Sequence, residues 1–83
     1  MIEKWDQSYA RFRLLRAFVT AADCGGFHRA AERLNLTQST VSQQIKRLEL
    51  ETKRPLFRRT TRSVALTDDG EMLLGDARRL FAI

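Results

Sequence analysis

The turn between residues 34 and 38 constrains this chain more than any other feature, because apolar residues at helical spacing lie on both sides of it. Before the turn, residues 28–34 predict a short helix in which Ala30 and Ala31 are small enough for a second helix to cross closely. After it, Thr37 can cap a second helix that is predicted to run to about residue 52. The buried stripe of that helix falls at i, i+4 and i+7, at Val41, Ile45 and Leu48. Residues 29–48 therefore predict a helix-turn-helix.

The inventory of reactive side chains argues against catalysis. With 83 residues, of which 43% are hydrophobic, the chain predicts one small domain that cannot enclose a large substrate cavity. A single cysteine, Cys24, and a single histidine, His28, supply neither a disulfide framework nor a closed zinc site. We interpret Cys24 as a packing residue and His28 as a surface residue, and we expect no catalytic residues, no metal and no cofactor.

The apolar runs are only a few residues long, far short of a membrane span or the core of a signal peptide. We therefore expect a soluble chain in the cytoplasm, with no membrane partner.

Sparse glycine and proline favour a mainly α fold. Residues 1–10 lack a clear apolar period and are interpreted as a lead-in, and the first helix is predicted over residues 12–24. Gly25 and Gly26 end that helix, since glycine accepts the left-handed conformation that follows many helices.

A β-hairpin and a last helix are predicted after Pro55, which blocks helix continuation. Residues 56–57 and 64–66 are apolar and indicate two short strands around a basic tip. Thr67 then caps a helix with acidic residues in its first turn and arginines near its end, a placement that suits the helix dipole.

Positive charge predominates and points to a polyanionic partner. The chain has 15 Lys and Arg against 10 Asp and Glu, a formal net charge of +5. Ten residues beside the helix-turn-helix carry five basic side chains and no acidic one: Lys53, Arg54, Arg58, Arg59 and Arg62. We predict that Arg58 and Arg59 contact phosphates. Because the phenylalanines fit core positions and leave no stacking platform for bases, double-stranded DNA is favoured over RNA.

The second helix of the pair presents a polar face opposite its buried stripe. Residues able to hydrogen-bond to base edges follow one another there: Gln38, Ser39, Thr40, Ser42 and Gln43. Lys46 and Arg47 come next and suit phosphates. A simpler interpretation stays open for these two, because Glu49 and Glu51 lie one turn further on at the spacing of surface ion pairs.

The first and last helices each carry more than one apolar stripe. A domain this small has too few partners to bury all of them, so we predict a homodimer. The candidate interface residues are Leu14, Phe18, Leu74 and Phe81.

Five sequence blocks have the order and spacing of a known family: LRAFV (15–19), GFHRAAERL (26–34), TQSTVSQQIKRLE (37–49), PLFR (55–58) and LTDDGE (66–71). On these blocks, residues 12–82 resemble the N-terminal DNA-binding domain of LysR-type transcriptional regulators. Within that family, TQSTVSQQ together with LLGDAR is similar to the branch of the flagellar and virulence repressor LrhA.

The resemblance implies a winged helix-turn-helix with a three-helix core and a small β-hairpin wing over residues 11–66. Residues 67–83 would form a C-terminal linker or dimerisation helix. In the family this helix continues into an effector-binding domain, which is absent from this chain, so we expect either an excised fragment or a natural stand-alone module. A small-molecule effector is expected only through that absent domain.

The resemblance also assigns roles on DNA. The major-groove base contacts would come from Gln38, Ser39, Ser42 and Gln43, and Arg62 at the wing tip would enter the minor groove. The residues that would hold phosphates are Arg29, Thr37, Thr40, Lys46 and Arg59. The implied assembly is a homodimer on an interrupted, AT-containing palindrome in the nucleoid, with higher oligomers in a full-length regulator and RNA polymerase as a further candidate partner.

Two residues depart from the family pattern. Ser39 stands where many members have proline, and Lys53 stands where a glycine usually follows the recognition helix, so that Lys53 must avoid or tolerate a positive φ. One rival function is kept open: a protein-interaction module that pairs with a full-length regulator without reading DNA itself.

Overall fold

A computed structural model of the chain describes residues 2–59 and 64–81. The elements in chain order are α1 (Ile2–Cys24), α2 (Phe27–Leu34), α3 (Gln38–Thr52), β1 (Phe57–Arg59), β2 (Val64–Leu66) and α4 (Asp68–Phe81). The mainly helical fold with a small antiparallel hairpin is thus confirmed.

The first helix is longer than predicted. Helix α1 begins at Ile2, not near residue 12, and continues through the segment interpreted as a lead-in. No glycine or proline precedes Gly25, so nothing in residues 2–12 interrupts helical hydrogen bonding. Residues 1–10 show no clear apolar period. Such a period indicates which face of a helix is buried and not whether a helix forms, so it could not locate the start of α1.

The core lies between α1, α2 and α3. Its largest fully buried side chains are Phe18, Val41, Ile45 and Leu56. Ala30 and Ala31 are buried in α2, as the predicted close crossing requires, and Ala17 of α1 is fully buried as well. Phe57 brings the wing into this core, since its ring centroid lies 5.4 Å from those of both Phe18 and Phe27.

The turn between α2 and α3 is closed by its own backbone and by a side-chain cap. Asn35 has φ 59° and ψ 43°, a left-handed conformation, and the Leu36 amide donates to the Ala31 carbonyl at 2.9 Å. Thr37 Oγ1 accepts a hydrogen bond from the Thr40 amide at 3.1 Å. The predicted Thr37 cap is confirmed, and the turn fixes the start of α3 relative to α2.

The wing and α4 are joined by a tight contact at Leu56. In the antiparallel pair β1–β2, Phe57 lies opposite Leu66 and Arg59 opposite Val64. The hydroxyl of Thr67 donates to the Pro55 carbonyl at 2.7 Å and accepts from the Gly70 amide at 3.0 Å, so the predicted cap on α4 is confirmed. A Cβ on Gly70 would lie 2.2 Å from the Leu56 carbonyl oxygen, which leaves room only for glycine.

The burial of α1 corrects part of the predicted dimer interface. Phe18 is 0% exposed and Leu14 is 5% exposed within the single chain, so neither offers surface to a second copy. Their assignment to the interface is wrong: they face α2, α3 and the wing and form the core. Leu74 and Phe81 are only half-buried on α4, where the Phe81 ring meets that of Phe12 edge-on at 5.0 Å.

Candidate nucleic-acid interface

The outward face of α3 brings the predicted base-contacting residues together. Gln38, Ser39 and Gln43 are exposed and Ser42 is half-buried. Ser39 and Gln43 lie opposite the buried Val41, Ile45 and Leu48, whereas Ser42 lies on the flank of this face and Gln38 is exposed in the first turn of the helix. The arrangement is the one that the 100° helical spacing predicts. A helix with this polar surface can enter a major groove without moving its own buried residues.

The start of α3 groups several residues predicted to hold phosphates. Thr37 and Thr40 share a hydrogen bond of 2.8 Å between their hydroxyl oxygens. Thr37 Oγ1 also accepts the Thr40 amide, so Thr37 caps the helix as well as bordering its exposed end. Arg29 is exposed on the neighbouring helix α2. The positive end of the helix dipole adds to the attraction for an anion at this end.

Glu49 links α3 to the wing, a role that the sequence did not predict. Its Oε2 accepts the Leu56 amide at 2.8 Å and the Phe57 amide at 3.3 Å, and its Oε1 lies 3.8 Å from an Arg59 nitrogen. The side chain is only 18% exposed. The open alternative of a surface pair with Lys46 is therefore not the contact that this carboxylate makes.

The sequence feature that could have predicted the contact between Glu49 and the wing is Lys53, the residue that follows α3. Lys53 adopts the left-handed conformation at φ 58°, so it tolerates the backbone that a glycine would adopt more easily. This conformation turns the chain back along α3 and brings the amides of residues 56–57 to Glu49. We call the set that joins α3, the hairpin and α4 the wing junction: Glu49, Leu56, Phe57, Arg59, Thr67 and Gly70.

The two described arginines of the wing differ in their surroundings. Arg59 lies with its guanidinium carbon 5.2 Å from the centroid of the Phe27 ring, beside Glu49, and remains 46% exposed. Arg58, one residue earlier in the strand, is exposed on the opposite face. Arg62 lies outside the described residues.

The basic residues around α3 are partly held by acids. Arg54 lies 3.5 Å from Asp69 of α4, which turns it toward the wing junction. Arg47 pairs with Glu51 at 3.5 Å, the simpler interpretation that its spacing offered, yet its side chain is 69% exposed. Lys46 and Lys53 are exposed. An exposed ion pair of this kind is weak enough to exchange for a phosphate contact.

Cys24 is the last residue of α1, and His28 lies in the first turn of α2. Cys24 is half-buried and unpaired, and His28 is exposed 3.8 Å from Glu32. Within residues 2–59 and 64–81 no three His, Cys, Asp or Glu side chains gather as a metal site would require. Over the same residues, every helix is too short or too polar to cross a membrane.

The sequence of this chain is similar to those of known proteins. The family described as "Bacterial regulatory helix-turn-helix protein, lysR family" matches residues 12–71. The HTH-type transcriptional regulator BudR of Klebsiella aerogenes is 51% identical over 71 residues, which cover 86% of this chain and 50% of BudR. The chain thus spans about half the length of that relative.

Solved structures of DNA complexes superpose closely on the chain. The DNA-binding domain of CbnR with DNA matches with a TM-score of 0.82 at 35% identity, covering 86% of this chain and 82% of that one. The DNA-binding domain of BenM with catB site 1 DNA matches with a TM-score of 0.83 at 34% identity, covering 86% and 79%.

Proposed function

Because this chain belongs to the LysR family of bacterial helix-turn-helix regulatory proteins, we propose that it recognises a specific sequence in double-stranded DNA, with α3 in the major groove. The observation that carries the proposal is the outward face of α3, where amide and hydroxyl side chains stand exposed on a helix anchored at both ends. Such side chains form paired hydrogen bonds with base edges, glutamine with adenine above all. The proposal assigns no catalytic role to the chain and locates it on DNA in the bacterial cytoplasm.

The base contacts are assigned to Gln38, Ser39, Ser42 and Gln43. Phosphate contacts are assigned to the residues that border this face on α2, α3 and the wing: Arg29, Thr37, Thr40, Lys46, Arg47, Arg58 and Arg59. All but Thr40 are exposed, and Thr40 is half-buried. Phosphate contacts position the protein, whereas the base contacts distinguish one sequence from another.

The wing supplies the second part of the proposal, a minor-groove contact by Arg62. What supports it is the anchoring of the hairpin, because Glu49 holds the start of β1 against the end of α3. The two strands of the hairpin, β1 and β2, are thereby held in place relative to the recognition helix. An arginine inserted into a narrow minor groove responds to its negative potential and favours AT-containing DNA.

The third part is a homodimer on an interrupted palindrome. Half-buried Leu74 and Phe81 lie on α4 near exposed Leu80 and Met72, so α4 still has apolar surface to bury. A two-fold pair would place its recognition helices about 34–36 Å apart, or a small multiple of that distance. In a longer regulator, further oligomerisation, an effector domain and contact with RNA polymerase would add to this unit.

Selection of bound sequences from a random duplex library by the purified chain tests the proposal. We expect enrichment of two inverted half-sites at a fixed spacing, each containing A·T pairs. Enrichment of a single half-site would refute the dimer and keep the base contacts. Binding without any enriched sequence would refute base recognition, and self-association without DNA binding would favour the protein-interaction module.

A further inference from the structure

A cleft of about 310 Å³ opens between α1 and α3, next to the outward face of α3. Its walls are Arg13 and Leu14 of α1 and Thr40, Gln43, Gln44 and Arg47 of α3. Gln43 belongs both to this cleft and to the proposed base-contacting face, so the cleft lies at the edge of the surface that faces DNA. No role on DNA has so far been assigned to any residue of α1.

The charges around the cleft favour an anion. Glu51 is shared by Arg47 at 3.5 Å and Arg11 at 3.8 Å, so one carboxylate offsets two guanidinium groups. Arg13 lies with its guanidinium carbon 5.5 Å from the centroid of the Tyr9 ring on the preceding turn of α1. Among the side chains that the structure describes here, three arginines, Arg11, Arg13 and Arg47, therefore stand against one carboxylate, that of Glu51.

The shape and donors of the cleft suit a phosphate group. Arginine presents a planar set of N–H donors that matches phosphate oxygens in pairs, and Arg13 and Arg47 approach from opposite walls. The amide of Gln44 and the hydroxyl of Thr40 add uncharged donors on the α3 side. Contact with the Tyr9 ring holds the Arg13 guanidinium over one face and leaves its edge available for hydrogen bonds.

We infer that this cleft holds a DNA backbone phosphate at the edge of the major groove, clamped between Arg13 of α1 and Arg47 of α3. The inference rests on the proposed function, because it requires α3 to lie in the groove. This contact would give α1 a part in DNA binding. It would also limit how deeply α3 enters the major groove, because one phosphate would be held on the α1 side of α3 and others on the wing side. The contact contributes affinity on every sequence and does not distinguish bases.

The first test compares Arg13→Ala with Arg16→Ala. Arg16 is an exposed arginine on the same helix that does not line the cleft, so both variants lose one positive charge from α1. Arg13→Ala is expected to weaken binding to selected and random duplexes alike and to lower the slope of log K against log salt by about 0.9, the loss of one phosphate contact. Arg16→Ala should keep the wild-type slope.

A second measurement locates the phosphate directly. Single phosphates along the selected duplex are replaced by neutral methylphosphonates, one at a time. We expect one position beside the half-site at which neutralisation weakens the wild type and Arg16→Ala equally but weakens Arg13→Ala by less, because only Arg47 still contacts that phosphate in this variant. Arg13→Gln, which keeps a long helix-favouring side chain, should behave as Arg13→Ala does and serves if the alanine variant is unstable.

Equal slopes for Arg13→Ala and Arg16→Ala, or equal methylphosphonate profiles, would overturn the inference while leaving the proposed function in place. Failure of the wild type to bind duplex DNA would instead refute the proposed function. Inorganic phosphate, added without DNA at constant ionic strength, tests whether the cleft is instead a site for a free phosphate ion. Saturable shifts of the Arg13 and Arg47 side-chain resonances, together with equal methylphosphonate profiles for Arg13→Ala and Arg16→Ala, would make the cleft a site for a free anion and overturn the DNA contact.

Discussion

The two ends of α3 differ in their exposure to solvent and in their contacts with the wing. Near its start, Gln38, Ser39 and Gln43 stand exposed to solvent. Near its end, Glu49 is only 18% exposed and accepts hydrogen bonds from two backbone amides of the wing. The proposed base-contacting residues thus lie near the start of α3 and the contacts that hold the wing near its end, so substitutions at the two ends should change different measured quantities, DNA affinity at the start and stability at the end.

The largest effect on stability is expected from a substitution at the wing junction. Gly70→Ala places a Cβ 2.2 Å from the Leu56 carbonyl oxygen, a backbone atom that can move only with the hairpin. We expect a loss of about 3 kcal/mol in the free energy of unfolding, measured by denaturant titration.

Gly75→Ala is the matched control in the same helix. Nothing lies within 4 Å of a Cβ added there, so this variant should gain up to about 1 kcal/mol from the helix preference of alanine. Equal stabilities for the two variants would show that α4 is not held tightly against Leu56.

Removal of the Glu49 carboxylate should be next in size. Glu49→Ala leaves the Leu56 and Phe57 amides without their acceptor, at an expected cost of about 2 kcal/mol in the free energy of unfolding. Glu49→Gln keeps an acceptor oxygen and should lose less. Glu51→Ala breaks only exposed ion pairs and should cost less than about 1 kcal/mol. If Glu49→Ala were no less stable than Glu51→Ala, the two ends of α3 would not differ as described.

At the other end of α3, the expected effect is on affinity alone. Gln43→Ala should weaken binding to the selected duplex by at least about fivefold, because one good base contact is worth about 1–3 kcal/mol. Binding to a scrambled duplex and the unfolding free energy should stay at the wild-type values. Equal weakening on both duplexes, measured by fluorescence anisotropy, would remove Gln43 from the base contacts.

Arg59 belongs to the wing junction and also to the proposed phosphate contacts, so it tests the boundary between the two. Arg59→Ala should reduce the salt slope by about 0.9 on any duplex and lower stability by no more than about 1 kcal/mol through the lost contact with Phe27. Exposed Arg33 of α2 supplies the control, and Arg33→Ala should leave the salt slope unchanged. A slope unchanged in Arg59→Ala would confine Arg59 to a structural role.

The sequence predicted those parts of the molecule that local chemistry decides. The turn at residues 35–37, the Thr37 and Thr67 caps and the buried stripe of α3 follow from preferences of single residues and from helical spacing. The polar face of α3 followed from the same spacing. Short-range patterns are sufficient here because each of these features is completed within a few residues of the chain.

The features that the sequence did not predict depend on contacts between distant segments. Leu14 and Phe18 looked like surplus apolar residues because the pattern could not show that the wing and α2 both pack on α1. The role of Glu49 depends on the backbone turn at Lys53, and the Arg13 cleft depends on where α1 crosses α3. The early start of α1 at Ile2 was missed because the sequence of residues 1–10 shows no clear apolar period from which a helix could be predicted.

A crystal structure of the chain bound to its selected duplex would show directly whether α3 contacts base edges in the major groove. We predict α3 in the major groove, with side chains among Gln38, Ser39, Ser42 and Gln43 within hydrogen-bonding distance of base edges and the wing junction unchanged. A complex in which these side chains face solvent and the protein contacts only phosphates would refute base recognition by α3.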